Sequence, residues 1–333
     1  LPPCRQASPL GVNYQGVARL IASGKERDAA KELRRATPFG GVLSALGDPA
    51  AEKTCSRGHF GGALRFTDLL RYLVAAQPDV IYGDENAKLP RSSKKAAVIG
   101  AGPAGLQAAW SLRMGGHAVT VFEAASEAGL SLLHPHAEND DAGAPAVSPE
   151  IMEKTLAMLA RAGIDFVTST PKGQSELDSL CGEYDAVICA CGKGAVLPAD
   201  GNGWVKNNLF AAGTCVKNQK HLTPLQAMAS ALKTAHAARN LLEGFDLDYE
   251  SDERTARGLE RFAGLQNADA VVDAAPVTPS GETFATEEAR QEASRCLGCG
   301  RPYERNKTCW YCLPCEVVCP TQALHVRIPY LIR

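Results

Sequence analysis

The stretch Val98-Ile99-Gly100-Ala101-Gly102-Pro103-Ala104-Gly105 constrains this chain more than any other. The apolar run before it reads as a β-strand and the alanine-rich run after it as a helix, so a GxGxxG turn joins the two. Each glycine has a physical task. Gly100 permits the tight turn, Gly102 lets the backbone approach a pyrophosphate, and Gly105 lets helix and strand pack closely. A pyrophosphate would sit on the free N–H groups at the positive end of the helix, beside Pro103 and Ala104. Val119 to Phe122 reads as the next strand, and Glu123 ends it about twenty residues on, placed to accept ribose hydroxyls. A GxGxxG alone is weak. With strand, helix and acid in place, the unit reads as dinucleotide-binding.

The rest of the chain punctuates clearly. Residues 12–36 carry apolar positions at helical spacing, and Phe66 to Ala76 reads as a second helical stretch. Glu150 to Ala162 reads as a helix, followed by the strand Ile164 to Val167. A further strand, Asp185 to Gly192, is followed after only sixteen residues by Leu209-Phe210-Ala211-Ala212-Gly213-Thr214. Thr223 is placed as an N-cap with Pro224 at the first helical position, opening a helix to about Leu242 that stops near Gly244. Residues 245–285 read as a linker, and a helix from Thr286 delivers Cys296.

Six of the twelve cysteines crowd into the last 38 residues. Cys309-Trp-Tyr-Cys312-Leu-Pro-Cys315-Glu-Val-Val-Cys319-Pro320 is the bacterial ferredoxin run C-x2-C-x2-C-x3-C-P, in which three close cysteines hold one cubane and the fourth ligates elsewhere. Cys296 and Cys299 are candidates for the remaining ligand. The pattern predicts one [4Fe–4S] cluster; a second would need Cys319 with ligands from the first pair or from another chain. Zinc is the alternative for Cys296, Cys299, Cys309 and Cys312, but it leaves Cys315 and Cys319 unexplained. Such spacings suit metal ligation in a reducing compartment better than secreted disulfides, and the cytoplasm is the default expectation. The N-terminus shows neither the charged nor the apolar region of a signal peptide, and it lacks a Met, as a processed or internal start would. A net charge of −2 gives no basic field for nucleic acid. The short, broken apolar stretches predict no membrane insertion.

The run from Lys94 to Leu130 resembles the FAD half of the glutamate synthase small-subunit family, relatives of thioredoxin reductase. The likeness extends to Cys4, Leu20 to Gly24, Arg35 to Phe39 and Cys55 to Gly58, which resemble that family's N-terminal helical iron–sulfur domain. Val205 to Gly244 resembles its closing flavin segment. The resemblance implies an FAD site formed by Gly100, Gly102, Pro103, Ala104, Gly105, Glu123, Leu130, Gly192, Gly213, Thr214, Thr223, Gln226 and Ala227. The helix opening at Thr223 would favour a reduced, anionic flavin. It also implies that the family's NAD(P)H domain is missing near 193–208, because a folded domain needs at least ~50 residues.

Three departures stand out. Gly47 and Ala51 stand where the family has cysteines, so Cys4 and Cys55 cannot close a four-ligand cluster and are expected to pack as free thiols. Thr214 replaces a carboxylate that binds the ribityl hydroxyls. Cys191 replaces a threonine, and Cys189 and Cys191, pointing to one face of their strand, are expected to fill core.

The expected architecture is α/β: a Rossmann-like three-layer ββα FAD domain over 94–244, an all-helical domain over 1–90, and a ferredoxin-like [4Fe–4S] segment over 286–333. No acid–base or nucleophile pair stands out. The expected function is electron transfer between FAD, cluster and partner subunits carrying iron–sulfur, flavin or metal centres, in an anaerobic oxidoreductase complex. The alternatives are a reductase whose nicotinamide site a partner supplies, or a non-catalytic scaffold.

Overall fold

Five short apolar runs form the parallel part of one sheet. In the computed structural model these are β1 (Lys95–Ile99), β2 (Ala118–Phe122), β3 (Ile164–Val167), β4 (Ala186–Cys189) and β6 (Leu209–Ala211), with β5 (Trp204–Lys206) antiparallel on β6. The described residues are 2–83, 92–134, 146–172, 174–192, 195–217, 219, 221–248 and 273–299, so Cys309, Cys312, Cys315 and Cys319 lie outside them.

The strand order is β3-β2-β1-β4-β6-β5. The chain therefore builds outward from β1 in one direction and then crosses back to β4 on its other side. That reversal between β1 and β4 is the place where open α/β sheets bind ligands, outside the carboxyl ends of the strands.

Alternate residues of β1 serve two cores. Ala96 and Val98 pack with α8 (Pro103–Met114) and the long α12 (Pro224–Glu243), while Ala97 and Ile99 pack with Leu177 and Leu180 of α11 (Gln174–Glu183). This alternation is what parallel strands buried on both faces require. It also corrects the expected layering. Among the described residues, helix α11 covers the face where a ββα fold would put a second β layer.

The N-terminal residues are helical: α1 (Pro3–Ala7), α2 (Tyr14–Ala22), α3 (Glu26–Ala36), α4 (Gly40–Leu46), α5 (Pro49–Lys53), α6 (Phe66–Ala76) and α7 (Pro78–Ile81). The predicted stretch 12–36 breaks into two helices at Gly24, whose φ of +68° no β-carbon tolerates easily. Helix α3 has Glu26 and Asp28 in its first turn and Arg34 and Arg35 in its last, charges that complement its dipole. It buries Ala29, Ala30 and Leu33. The remaining helices are α9 (Leu130–Leu133), α10 (Pro149–Arg161) and α13 (Thr286–Ser294). Helices α1–α7 and α13 share one apolar core with the sheet, all within a single compact unit, Leu1–Gly300.

Candidate cofactor site

The turn from β1 to α8 is built so that only glycine fits at positions 100 and 105. Gly100 has φ +99°, and a β-carbon there would lie 2.5 Å from the Ala190 carbonyl oxygen. A β-carbon on Gly105 would run into the Gly100 carbonyl. Gly102 is the N-cap of α8 in extended conformation, with Pro103 at the first helical position, and a β-carbon there would stand 3.3 Å from Ser131 Oγ. The first N–H groups of α8 have no partner within the helix by construction, so the turn presents donors to an anion. Gly129 donates to the Ala101 carbonyl at 3.0 Å and starts α9, which sets Leu130 beside the turn.

Glu123 lies at the end of β2 as expected, but its carboxylate has a structural job as well. Oε2 accepts from the Ala101 N–H at 2.6 Å and Oε1 from the Ala125 N–H at 2.9 Å. Each oxygen keeps a further lone pair, so the carboxylate both braces the turn and retains room for a hydroxyl donor.

A second helix start meets the first. Gly213 has φ +65°, and a β-carbon there would come 2.9 Å from Ala104 Cβ and 3.7 Å from Ala227 Cβ. The amino ends of α8 and α12 therefore converge on Gly213, and their dipoles point positive charge to one place. Thr223 and Gln226 form a reciprocal cap, the Thr223 N–H donating to Gln226 Oε1 at 2.9 Å and the Gln226 N–H to Thr223 Oγ1 at 3.3 Å. Both are exposed, and their polar atoms serve the cap. Gly192 and Thr214 are neighbours at the ends of β4 and β6, 3.7 Å separating a β-carbon on the first from Oγ1 of the second.

Residues 98–151 match the family model of an NAD(P)-binding Rossmann-like domain. The small chain of the NADPH glutamate synthase of Bacillus subtilis is 30% identical over 176 residues, 52% of this chain and 34% of that one. Its homologues are the glutamate synthase small subunit and related FAD/NAD(P)-binding oxidoreductase subunits. The beta subunit of the NADP(+)-dependent formate dehydrogenase of Moorella thermoacetica is another, 27% identical over 214 residues, 57% of this chain and 29% of that one. The chain thus spans about a third of the length of these relatives. A solved thioredoxin reductase of Lactococcus lactis aligns at 11% identity and TM-score 0.30 over 46% of this chain and 100% of that one.

Two groups of cysteines distinguish this chain. The first lies on the α11 face of the sheet. Cys189 and Cys191 do point to one side, with sulfurs 3.4 Å apart, and Cys215 joins them at 3.8 and 3.6 Å. Cys215 also donates to the Gly192 carbonyl at 3.3 Å. Hydrogen bonds from Cys189 and then Cys215 hold the Cys191 thiol low, and the same contacts push Cys215 up. The spacing is that of thiolates sharing one tetrahedral zinc ion, ~3.8 Å for Zn–S bonds of ~2.3 Å, with a fourth position open. Cys215 was not foreseen; nothing in its local sequence marks it.

The second group joins the two ends of the described chain. Cys4, Cys55, Cys296 and Cys299 line one cavity. Burial, and after it the thiols of Cys55, Cys296 and Cys299, push the Cys4 thiol up to about 12. Cys4 and Cys55 were expected to pack as free thiols, and both are free. They do not stand alone, because α13 packs on α2 and delivers the Cys296–Cys299 pair beside them.

Proposed function

We propose that this chain is an electron-transfer subunit of a multi-subunit oxidoreductase, holding FAD on the Gly100–Gly105 turn and iron–sulfur clusters on its cysteines. The observation that carries the reading is the meeting of two helix starts at Gly213 with only sixteen residues between Gly192 and Leu209. Those sixteen residues hold the short β5 and have no room for a second nucleotide-binding domain.

The residues suit a dinucleotide. The glycine cradle that a β-carbon would fill, the free donors of α8 and the spare lone pairs of Glu123 match a pyrophosphate and a ribose. Bound FAD would supply one- and two-electron exchange and a cluster one-electron exchange. The chain's own residues bind and orient: α8 and α12 place positive dipole ends where a reduced flavin gains negative charge. The relatives' names, a glutamate synthase small chain and a formate dehydrogenase beta subunit, support a partner subunit for such a protein.

The test is an anaerobic titration of the purified chain with NADPH, then NADH, then dithionite, following the flavin absorption band. Bleaching by dithionite alone is expected. Direct bleaching by a nicotinamide would make the chain a compact reductase and overturn the relay reading. A chain that binds no flavin would leave a scaffold.

A further inference from the structure

Helix α13 is fastened to the N-terminal helices by charges that are themselves buried. Glu292 is fully buried, accepts from the Arg65 N–H at 3.0 Å and the Val277 N–H at 2.8 Å, and pairs with Arg295 at 2.6 Å. Arg295 in turn donates to the Gly62 carbonyl at 2.6 Å and the Ala274 carbonyl at 2.9 Å. On the outer side Arg290 pairs with Glu26 at 2.9 Å. The loop that follows, Cys296-Leu297-Gly298-Cys299, turns at Gly298 with φ +65°. So Cys296 and Cys299 are held in place before any ligand arrives.

We infer that Cys4, Cys55, Cys296 and Cys299 are the four ligands of one [4Fe–4S] cluster, seated in the cavity that they line. This assignment goes beyond the relay reading and stands without it. It also commits the Cys296–Cys299 pair, so a cluster on Cys309, Cys312 and Cys315 would take its remaining ligand from another chain.

Three features select this ligand. First, the donor set is four thiols, all free, with one thiol per iron of a cubane. Second, the spacing excludes a single ion. Sulfurs on one zinc are ~3.8 Å apart, whereas among the described residues Cys189, Cys191 and Cys215 are the group with all ligand atoms within 4.8 Å. No three of these four sulfurs come that close, and a cavity separates them. Third, the wall offers what a sulfide-bearing anionic cluster needs. Gln15 lines the cavity, and its buried Nε2 has no hydrogen-bond partner. Arg57 stands on the same wall and Arg19 lies beside Cys296, two cations to offset the net negative charge of four thiolates on a cubane.

The test loads the chain with ferric iron, sulfide and dithiothreitol under anaerobic conditions and compares it with two variants. In one, Cys309, Cys312, Cys315 and Cys319 are all changed to Ser; in the other, only Cys55→Ser is made. The first is expected to keep about four irons and about four labile sulfides per chain, with a [4Fe–4S] signal in electron paramagnetic resonance after reduction. Cys55→Ser is expected to lose about four irons relative to the unaltered chain or to shift that signal. A readout that needs no variant is alkylation followed by peptide mass spectrometry. Cys4, Cys55, Cys296 and Cys299 should resist iodoacetamide in the loaded chain and all react once a chelator has removed the iron. Loss of all iron from the quadruple variant, zinc in place of iron, or free alkylation of the four in the loaded chain would each overturn the assignment. None of these readouts depends on bound flavin.

Discussion

Arg295 and Glu292 make a buried ion pair, Nη1 to Oε1 2.6 Å, one turn before the first cysteine of the Cys296–Cys299 loop. Arg295→Ala leaves Glu292 buried without its cation, a loss worth about 3–5 kcal/mol. Denaturant unfolding followed by fluorescence should show the unfolding free energy fall by that amount, with a lower midpoint. An unchanged midpoint would mean that the pair is not closed in solution.

Gly100→Ala asks the β1–α8 turn to take a side chain at φ +99°, 2.5 Å from the Ala190 carbonyl. The strain is roughly 1–3 kcal/mol, and relief of it must move Ala190 or the turn. The variant should unfold at lower denaturant and retain less flavin than the unaltered chain. Full flavin retention would show that the pyrophosphate does not rest on this turn.

Thr214→Asp restores the carboxylate that the family resemblance implies at the ribityl chain. A hydrogen bond to a charged group contributes ~1.5–3 kcal/mol, so flavin should dissociate roughly ten-fold more weakly or better. Equilibrium dialysis measures it. No change would remove Thr214 from the site.

The Glu26–Arg290 pair makes part of the stability pH-dependent. Burial pushes the Glu26 carboxyl up, but hydrogen bonds from its own backbone and from Arg290, with the Arg290 charge, pull it below its ordinary 4.5. A group lowered on folding stabilises above its unfolded value and ceases to as the pH falls through its folded one. Stability from this pair is therefore full above pH 4.5 and fades below it. With Arg290 more than a third exposed, water screens the pair and its contribution is small. Melting temperatures of Glu26→Gln should show a shallower acid decline than those of the unaltered chain. Parallel declines would assign the acid loss to other carboxylates.

What could be read in the sequence was what short range determines. The Gly100–Gly105 turn, the acid at Glu123 and the Thr223–Gly244 helix all depend on neighbours within a few turns of chain, and the structure places them as expected. The double duty of Glu123 was not legible, because which oxygens meet which backbone amides is settled only when β2 lies against the turn. The cysteine quartet was out of reach for a stronger reason. Cys4 and Cys55 are useless as a pair, and nothing within their own segments announces that α13 returns to complete the set. The same holds for Cys215, which meets Cys189 only through the β4–β6 pairing.

That pairing also bears on the further domain that the family resemblance implies near 193–208. β4 and β6 lie side by side and parallel, Val187 opposite Leu209, Ile188 opposite Phe210 and Cys189 opposite Ala211. Parallel neighbours need a connection of about a dozen residues or more, and 193–208 meets that minimum. Lengthening it costs only about 0.6 kcal/mol per doubling. The junction is a seam: a whole module can be let in or taken out there, and the two strands on either side keep the same partners.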